Sequence, residues 1–214
     1  MADRPEILER ILKTGVTAVM RAKSSEHLMS VADAIKAGGV ECIEVTMTTP
    51  NALQVIAEVS HKFGDEVLIG VGSVLDAETA RAAILAGAQF VVSPTLNTGV
   101  IEMAHRYDKV ALPGAFSPTE ILTAWEHGAD LVKVFPASCL GPQFFKDMRG
   151  PLPQIRMVPT GGVDLTTAAA FIKAGAAALC VGTAMMPADA IAAGDWPAVT
   201  DLAGRFVEIV REAR

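Results

Sequence analysis

The chain has 214 residues, of which 51% are hydrophobic and 20% charged, with a net charge of −6. That apolar content excludes a disordered chain, which could not bury enough surface to fold, and the length suits one large domain or two small ones rather than a stapled mini-protein. The acidic balance lacks the basic stripe that nucleic acid or anionic lipid requires. A mean hydropathy of +0.38 is high enough to ask about a membrane span. The longest near-apolar stretch, 174–188, is broken by Gly and Pro and is too short to cross a bilayer. The start, MADRPEILERILK, alternates charge with Leu and Ile and has no apolar signal core. A cytoplasmic protein that does not touch the membrane is expected. Cys42, Cys139 and Cys180 stand far apart, without a CxxC pair, and read as reduced, mostly buried thiols.

In chain order, 5–13 reads as a helix, 17–21 as a strand, 25–37 as a helix, 40–46 as a strand and 50–62 as a helix. Strand 67–70 leads to helix 76–86, strand 90–92 to helix 98–106, and strand 110–112 to helix 117–126. Strand 131–135, helix 142–148, strand 155–159, helix 164–173, strand 178–181 and helix 197–212 complete the chain. Gly turns at 37–40, 86–89, 127–130 and 174–177 each end a helix and open a strand, where glycine suits a left-handed C-cap. Ser24, Asp76 and Asp164 are expected as N-caps.

The strands are short continuous apolar runs, as in sheets covered on both faces. Strands alternating with helices imply parallel βαβ units, either in an open doubly wound sheet or in a closed (β/α)8 barrel. Eight such units in 214 residues make a compact TIM barrel with an extra N-terminal helix and no interrupting linker, so residues 1–214 read as a single domain. Dinucleotide binding fails locally. The run Gly70-Val71-Gly72-Ser73-Val74-Leu75 has Leu75 where the third glycine belongs, and no acidic residue follows near 91–93 to meet a ribose.

In a parallel barrel the chemistry lies where strands end and βα loops begin. Lys133 sits inside the apolar run Leu131–Phe135. Burial disfavours an ammonium and favours a nucleophilic amine, although a snorkelling or ion-paired lysine has the same pattern. In the run 42–50, alternation puts Glu44, Thr46 and Thr48 on one face. Glu44 there is either a proton shuttle for Lys133 or its structural ion-pair partner. Thr160-Gly161-Gly162, running into Asp164 and a capped helix, and Gly182-Thr183 after the last strand read as an anion cradle in the loops where barrels hold phosphate. His27, His61, His105 and His127 fall on helices without an HxH or HxxxH pair, so no metal site is expected, and there is no serine nucleophile elbow.

These motifs together resemble the family of 2-keto-3-deoxy-6-phosphogluconate (KDPG) and 4-hydroxy-2-oxoglutarate (KHG) aldolases, class I enzymes that form an imine with pyruvate. The motifs that carry the resemblance are AVMRAK (18–23), IEVT (43–46), GVGSVL (70–75), VSP (92–94), LVKVFPA (131–137), PTGGV (159–163) and VGT (181–183), over roughly 6–210. The resemblance implies a homotrimer of (β/α)8 barrels acting on a small keto acid. It puts the Schiff-base lysine on Lys133 and the proton-transferring glutamate on Glu44. It puts a hydroxyl contact to the pyruvate carboxylate on Ser73, pocket walls on Pro94 and Phe135, and phosphate contacts on Thr160, Gly161, Gly162, Gly182 and Thr183. No cofactor or metal is implied, because the imine does the electrophilic work. One position departs: many members carry an arginine where this chain has Thr48, so Arg21 is expected to supply the cation for the substrate carboxylate. Other readings of the same scaffold are a galactonate-type pyruvate aldolase, a phosphosugar isomerase, epimerase or decarboxylase without an imine, and a non-catalytic phospho-ligand binder. Phe144, Phe145 and Met148 read either as a patch for a subunit contact or as packing within the subunit.

Overall fold

The computed structural model describes residues 2–21 and 25–214, and the side chains of all of these except 25–27. Lys23, the expected cap Ser24 and the His27 side chain therefore lie outside the described residues. The chain opens with α1 (Arg4–Thr14), whose start is a capping box: Asp3 accepts the Glu6 amide, and Glu6 in turn accepts the Asp3 amide. Its last carbonyls are met from the far end of the chain, where the Arg214 guanidinium donates to Leu12 and Lys13.

Strands and helices then alternate as β1 (Val16–Met20), α2 (Ser25–Ala37), β2 (Cys42–Thr46), α3 (Ala52–Phe63), β3 (Leu68–Gly72), α4 (Ala77–Leu85), β4 (Phe90–Val92), α5 (Thr98–Arg106) and β5 (Val110–Leu112). They continue as β6 (Gly114–Ala115), α6 (Pro118–Glu126), β7 (Val132–Val134), α7 (Gly141–Met148), β8 (Met157–Pro159), α8 (Ala168–Lys173), β9 (Leu179–Val181), α9 (Ala188–Ala193) and α10 (Trp196–Ala213). All pairings are parallel, in a six-stranded sheet ordered β5-β4-β3-β2-β1-β9 and a three-stranded sheet ordered β6-β7-β8. Hydrogen bonds join the two. Leu131 and Lys133 donate to the Ala111 and Pro113 carbonyls, at 3.4 and 2.9 Å, and Ala177 donates to Met157 at 2.9 Å. The molecule is thus an α/β fold built on a curled parallel sheet.

Side chains separate into two layers. Ile43, Val45, Ile69, Val71, Val91, Val132, Val134 and Leu179 face the helices and share one large apolar cluster with them. Their strand neighbours Cys42, Leu68, Phe90, Val92, Leu112, Leu131, Val158 and Cys180 face the other way, into a second cluster. Ile7 and Ile11 of α1, both essentially without exposure, belong to that inner cluster. The N-terminal helix therefore packs on the interior beside residues at the starts of the strands. No helix among the described residues is long and apolar enough to cross a membrane.

The boundaries depart from the sequence reading at identifiable places. The strand expected at 110–112 is β5, and past Pro113, which has no N–H for the ladder, the chain pairs again as β6 (Gly114–Ala115), which the sequence reading missed. Arg21 lies just past β1 rather than in it. The helix expected at 164 starts only at Ala168, because the Asp164 carboxylate accepts the Thr166 and Thr167 amides in a turn ahead of it. Helix α9 is an element the sequence reading missed. Phe145 and Met148 are buried, and Phe145 meets Phe171 edge-on at 5.3 Å, so of the two readings of that patch, packing within the subunit holds for these two residues. Cys139 is exposed, unlike the other two cysteines.

Candidate active site

Strand alternation explains how two charges come to be buried. In β2, Ile43 and Val45 face the helices, so Cys42, Glu44 and Thr46 face inward. In β7, Val132 and Val134 face the helices, so Lys133 faces inward beside Leu131. Lys133 pairs in register with Gly114 and Val158, and Glu44 with Val19 and Gly70. Exposure is 5% for Lys133 and 1% for Glu44. Room for the Glu44 carboxyl comes from Gly72, where any Cβ would overlap it.

Burial pushes the Glu44 carboxyl above the ordinary glutamate range, while the positive charges of Lys133 and Arg21 pull it back. Its Oε2 is buried without a hydrogen-bond partner among the described residues. The Lys133 Nζ stands 4.9 Å from the Phe135 ring centroid. The inward Cys180 and Cys42 thiols are pushed up to about 12, chiefly by burial, and stay neutral.

The remaining expected residues lie at the same end of the strands. Exposed Arg21 follows β1, and its charge reaches Glu44. Thr48 is exposed and shares a 2.8 Å hydrogen bond with the buried Thr46 hydroxyl. Ser73, the first residue after β3, is half-buried with φ +59°. Pro94 packs so closely on Gly114 that a Cβ there would overlap its carbonyl. Half-buried Phe135 covers Gly161, whose Cβ position would lie 3.6 Å from the ring. Thr160 is buried and bridged to Cys180 across β8 and β9, which brings Gly161 and Gly162 alongside Gly182 and Thr183. Helix α8 starts at Ala168, so among the described residues no helix start directly follows Gly162, contrary to the expected helix-backed loop. Sequence reasoning passed over Gly72. The signal for Gly72 was a glycine aligned with an inward strand position beside a carboxylate. Among the described residues no group of three or more His, Cys, Asp or Glu is arranged to hold a metal ion.

Residues 7–202 match the sequence profile of the aldolases described as KDPG and KHG aldolase. A 2-dehydro-3-deoxy-phosphogluconate aldolase of Treponema pallidum is 38% identical over 205 residues, covering 95% of this chain and 97% of the relative. A 2-dehydro-3-deoxy-6-phosphogalactonate aldolase of Escherichia coli is 32% identical over 203 residues, covering 94% and 97%. Among solved structures, the KDPG aldolase of Legionella pneumophila, with pyruvate captured as a covalent carbinolamine, superimposes with a TM-score of 0.84 at 27% identity, covering 92% of this chain and 96% of that one.

Proposed function

Because the chain belongs to the KDPG and KHG aldolase family and is an aldolase, a lyase, we propose that it cleaves 2-keto-3-deoxy-6-phosphogluconate to pyruvate and glyceraldehyde 3-phosphate through an imine on Lys133. On the same reading it also splits 4-hydroxy-2-oxoglutarate to pyruvate and glyoxylate. The observation that carries it is the pair of buried charged residues at inward strand positions: Lys133 is 5% exposed and Glu44 1% exposed, and Gly72 leaves room for the Glu44 carboxyl.

Lys133, as the free amine, attacks the C2 ketone, and Glu44, as the acid, protonates the departing hydroxyl so that water leaves and an iminium remains. Its positive nitrogen takes up the electron pair of the C3–C4 bond as that bond breaks. Glu44, as carboxylate, takes the C4 hydroxyl proton through water, so that C4 becomes the aldehyde carbon. The enamine of pyruvate is then protonated at C3 by Glu44, and water hydrolyses the iminium to release pyruvate and the amine, the proton set free returning to Glu44. A carboxyl that both accepts and returns a proton is served by opposed influences, with burial favouring the acid and two cations favouring the base. The imine supplies the electron sink, so the reaction needs no cofactor.

Arg21 and the Ser73 and Thr48 hydroxyls hold the substrate carboxylate, and Pro94 and Phe135 form the walls. Thr160, Gly161, Gly162, Gly182 and Thr183 hold the phosphate. The two sheets form one closed barrel of eight strands, β5 and β6 counting as one, in a single domain. The bonds at Ala111, Pro113 and Met157 support that closure. A homotrimer in the cytoplasm completes the reading, supported by the family resemblance, and a solution mass of three chains checks the trimer.

A second substrate stays in view for a specific reason. Thr48 replaces a cation, and the relatives include a galactonate-type aldolase. Borohydride reduction with pyruvate tests the mechanism: a stable adduct at Lys133, located by mass spectrometry, is expected. A folded protein without any adduct rejects the imine. Cleavage rates on the gluconate and galactonate epimers then decide the substrate.

A further inference from the structure

We propose that Ser138 is a specificity-determining residue whose hydroxyl forms the third side of the phosphate cradle, selecting substrates with a phosphorylated end. This rests on the reading of 160–162 and 182–183 as phosphate loops. Strand register settles which loops adjoin. Val134 of β7 lies opposite Pro159 of β8, and the ladder runs on as Thr160 donates to the Val134 carbonyl at 3.0 Å and Ala137 donates to the Thr160 carbonyl at 2.9 Å. On its other side Thr160 is bridged to Cys180 of the β9 region. The segments 137–139, 160–162 and 181–183 therefore follow one another around the rim. Gly162 lies in the middle, with Thr183 on one flank and Ser138 on the other.

Ser138 lies against the loop backbone itself. A Cβ on Gly162 would stand 2.6 Å from the Ser138 Cβ and 2.9 Å from its Cα, and Gly162 has φ +75°. Both conditions demand glycine there, and together they let the Ser138 side chain reach the same concavity as the loop amides. The Ser138 hydroxyl is exposed and makes no hydrogen bond to any described residue. Its backbone is held by the turn Ala137–Cys139 and by the Ala137–Thr160 bond, so the hydroxyl is pre-positioned. A phosphate oxygen accepts what a serine hydroxyl donates, and hydrogen bonds to a charged acceptor are the stronger kind.

The test compares kcat/KM for 2-keto-3-deoxy-6-phosphogluconate with that for 4-hydroxy-2-oxoglutarate in wild type, S138A, S138T and S138D. The ratio is internal to each preparation, so a partly folded variant does not change it. S138A is expected to lower the ratio about tenfold, with the fall carried by KM, because a hydrogen bond to a charged group is lost. S138T keeps the ratio within about threefold of wild type. S138D lowers it further by setting a carboxylate against the phosphate. A wild-type preference that S138A and S138D leave intact overturns the role of Ser138 alone. A wild type with no preference for the phosphorylated substrate overturns the cradle, and Ser138 with it.

Discussion

With its carboxyl over Gly72 and one oxygen lacking a hydrogen bond, Glu44 weighs against folding at neutral pH. Burial raises its pKa in the folded chain, while the unfolded chain titrates it at the ordinary value of 4.5. Between those two values the folded state binds more protons, so stability falls as pH rises through that window and then levels off. A glutamine at the same place cannot ionise. Glu44→Gln is therefore expected to match wild type in urea denaturation at about pH 4 and to exceed it at about pH 8, by about 1.4 kcal/mol for each unit of the shift. Equal midpoints at both pH values, or a more stable wild type at the higher one, would show that Lys133 and Arg21 outweigh the burial.

At the scale of elements, the parts that were legible share a cause. A period-two pattern assigns faces, so the inward Glu44 and Lys133 could be read from CIEVT and LVKVF alone. The start of α8 was not legible, because Asp164 serves equally well as a helix cap or as the pivot of a preceding turn, and only Thr166 and Thr167 show which. Nor was the return to pairing past Pro113, since an apolar run ends by the same signal whether the strand stops there or merely skips one ladder bond. Helix α1 is the element whose role was least visible, since an amphipathic helix of Leu and Ile does not announce what it packs against. Ile7 and Ile11 fill the inner cluster beneath Leu68, Phe90 and Leu131, so truncating them leaves a cavity in the interior. Ile7→Ala and Ile11→Ala are each expected to lose about 2–5 kcal/mol in urea denaturation. Losses below about 1 kcal/mol would mean that α1 lies on the interior without filling it.

For the whole molecule, the adjacency of Ser138, Gly162 and Thr183 depends on which strands neighbour which, and no single-strand pattern contains that. The same is true of closure. A sheet that stops at β5 on one side and at β9 on the other would leave two edges, whose unpaired groups meet water. Here the gap at Pro113 is spanned by the amides of Leu131 and Lys133, and the gap between β8 and β9 by the amide of Ala177. In native-state hydrogen exchange, a closed barrel is expected to protect Lys133 and Ala177 to the level of global unfolding, alongside the mid-sheet amides of β2. An open sheet would release those junction amides several orders of magnitude faster than the amides of β2. Exchange at Lys133 has a further meaning, because a backbone that opened there would carry the amine away from Glu44. Slow exchange at this residue would thus report both a closed ring and a fixed placement of the amine relative to Glu44.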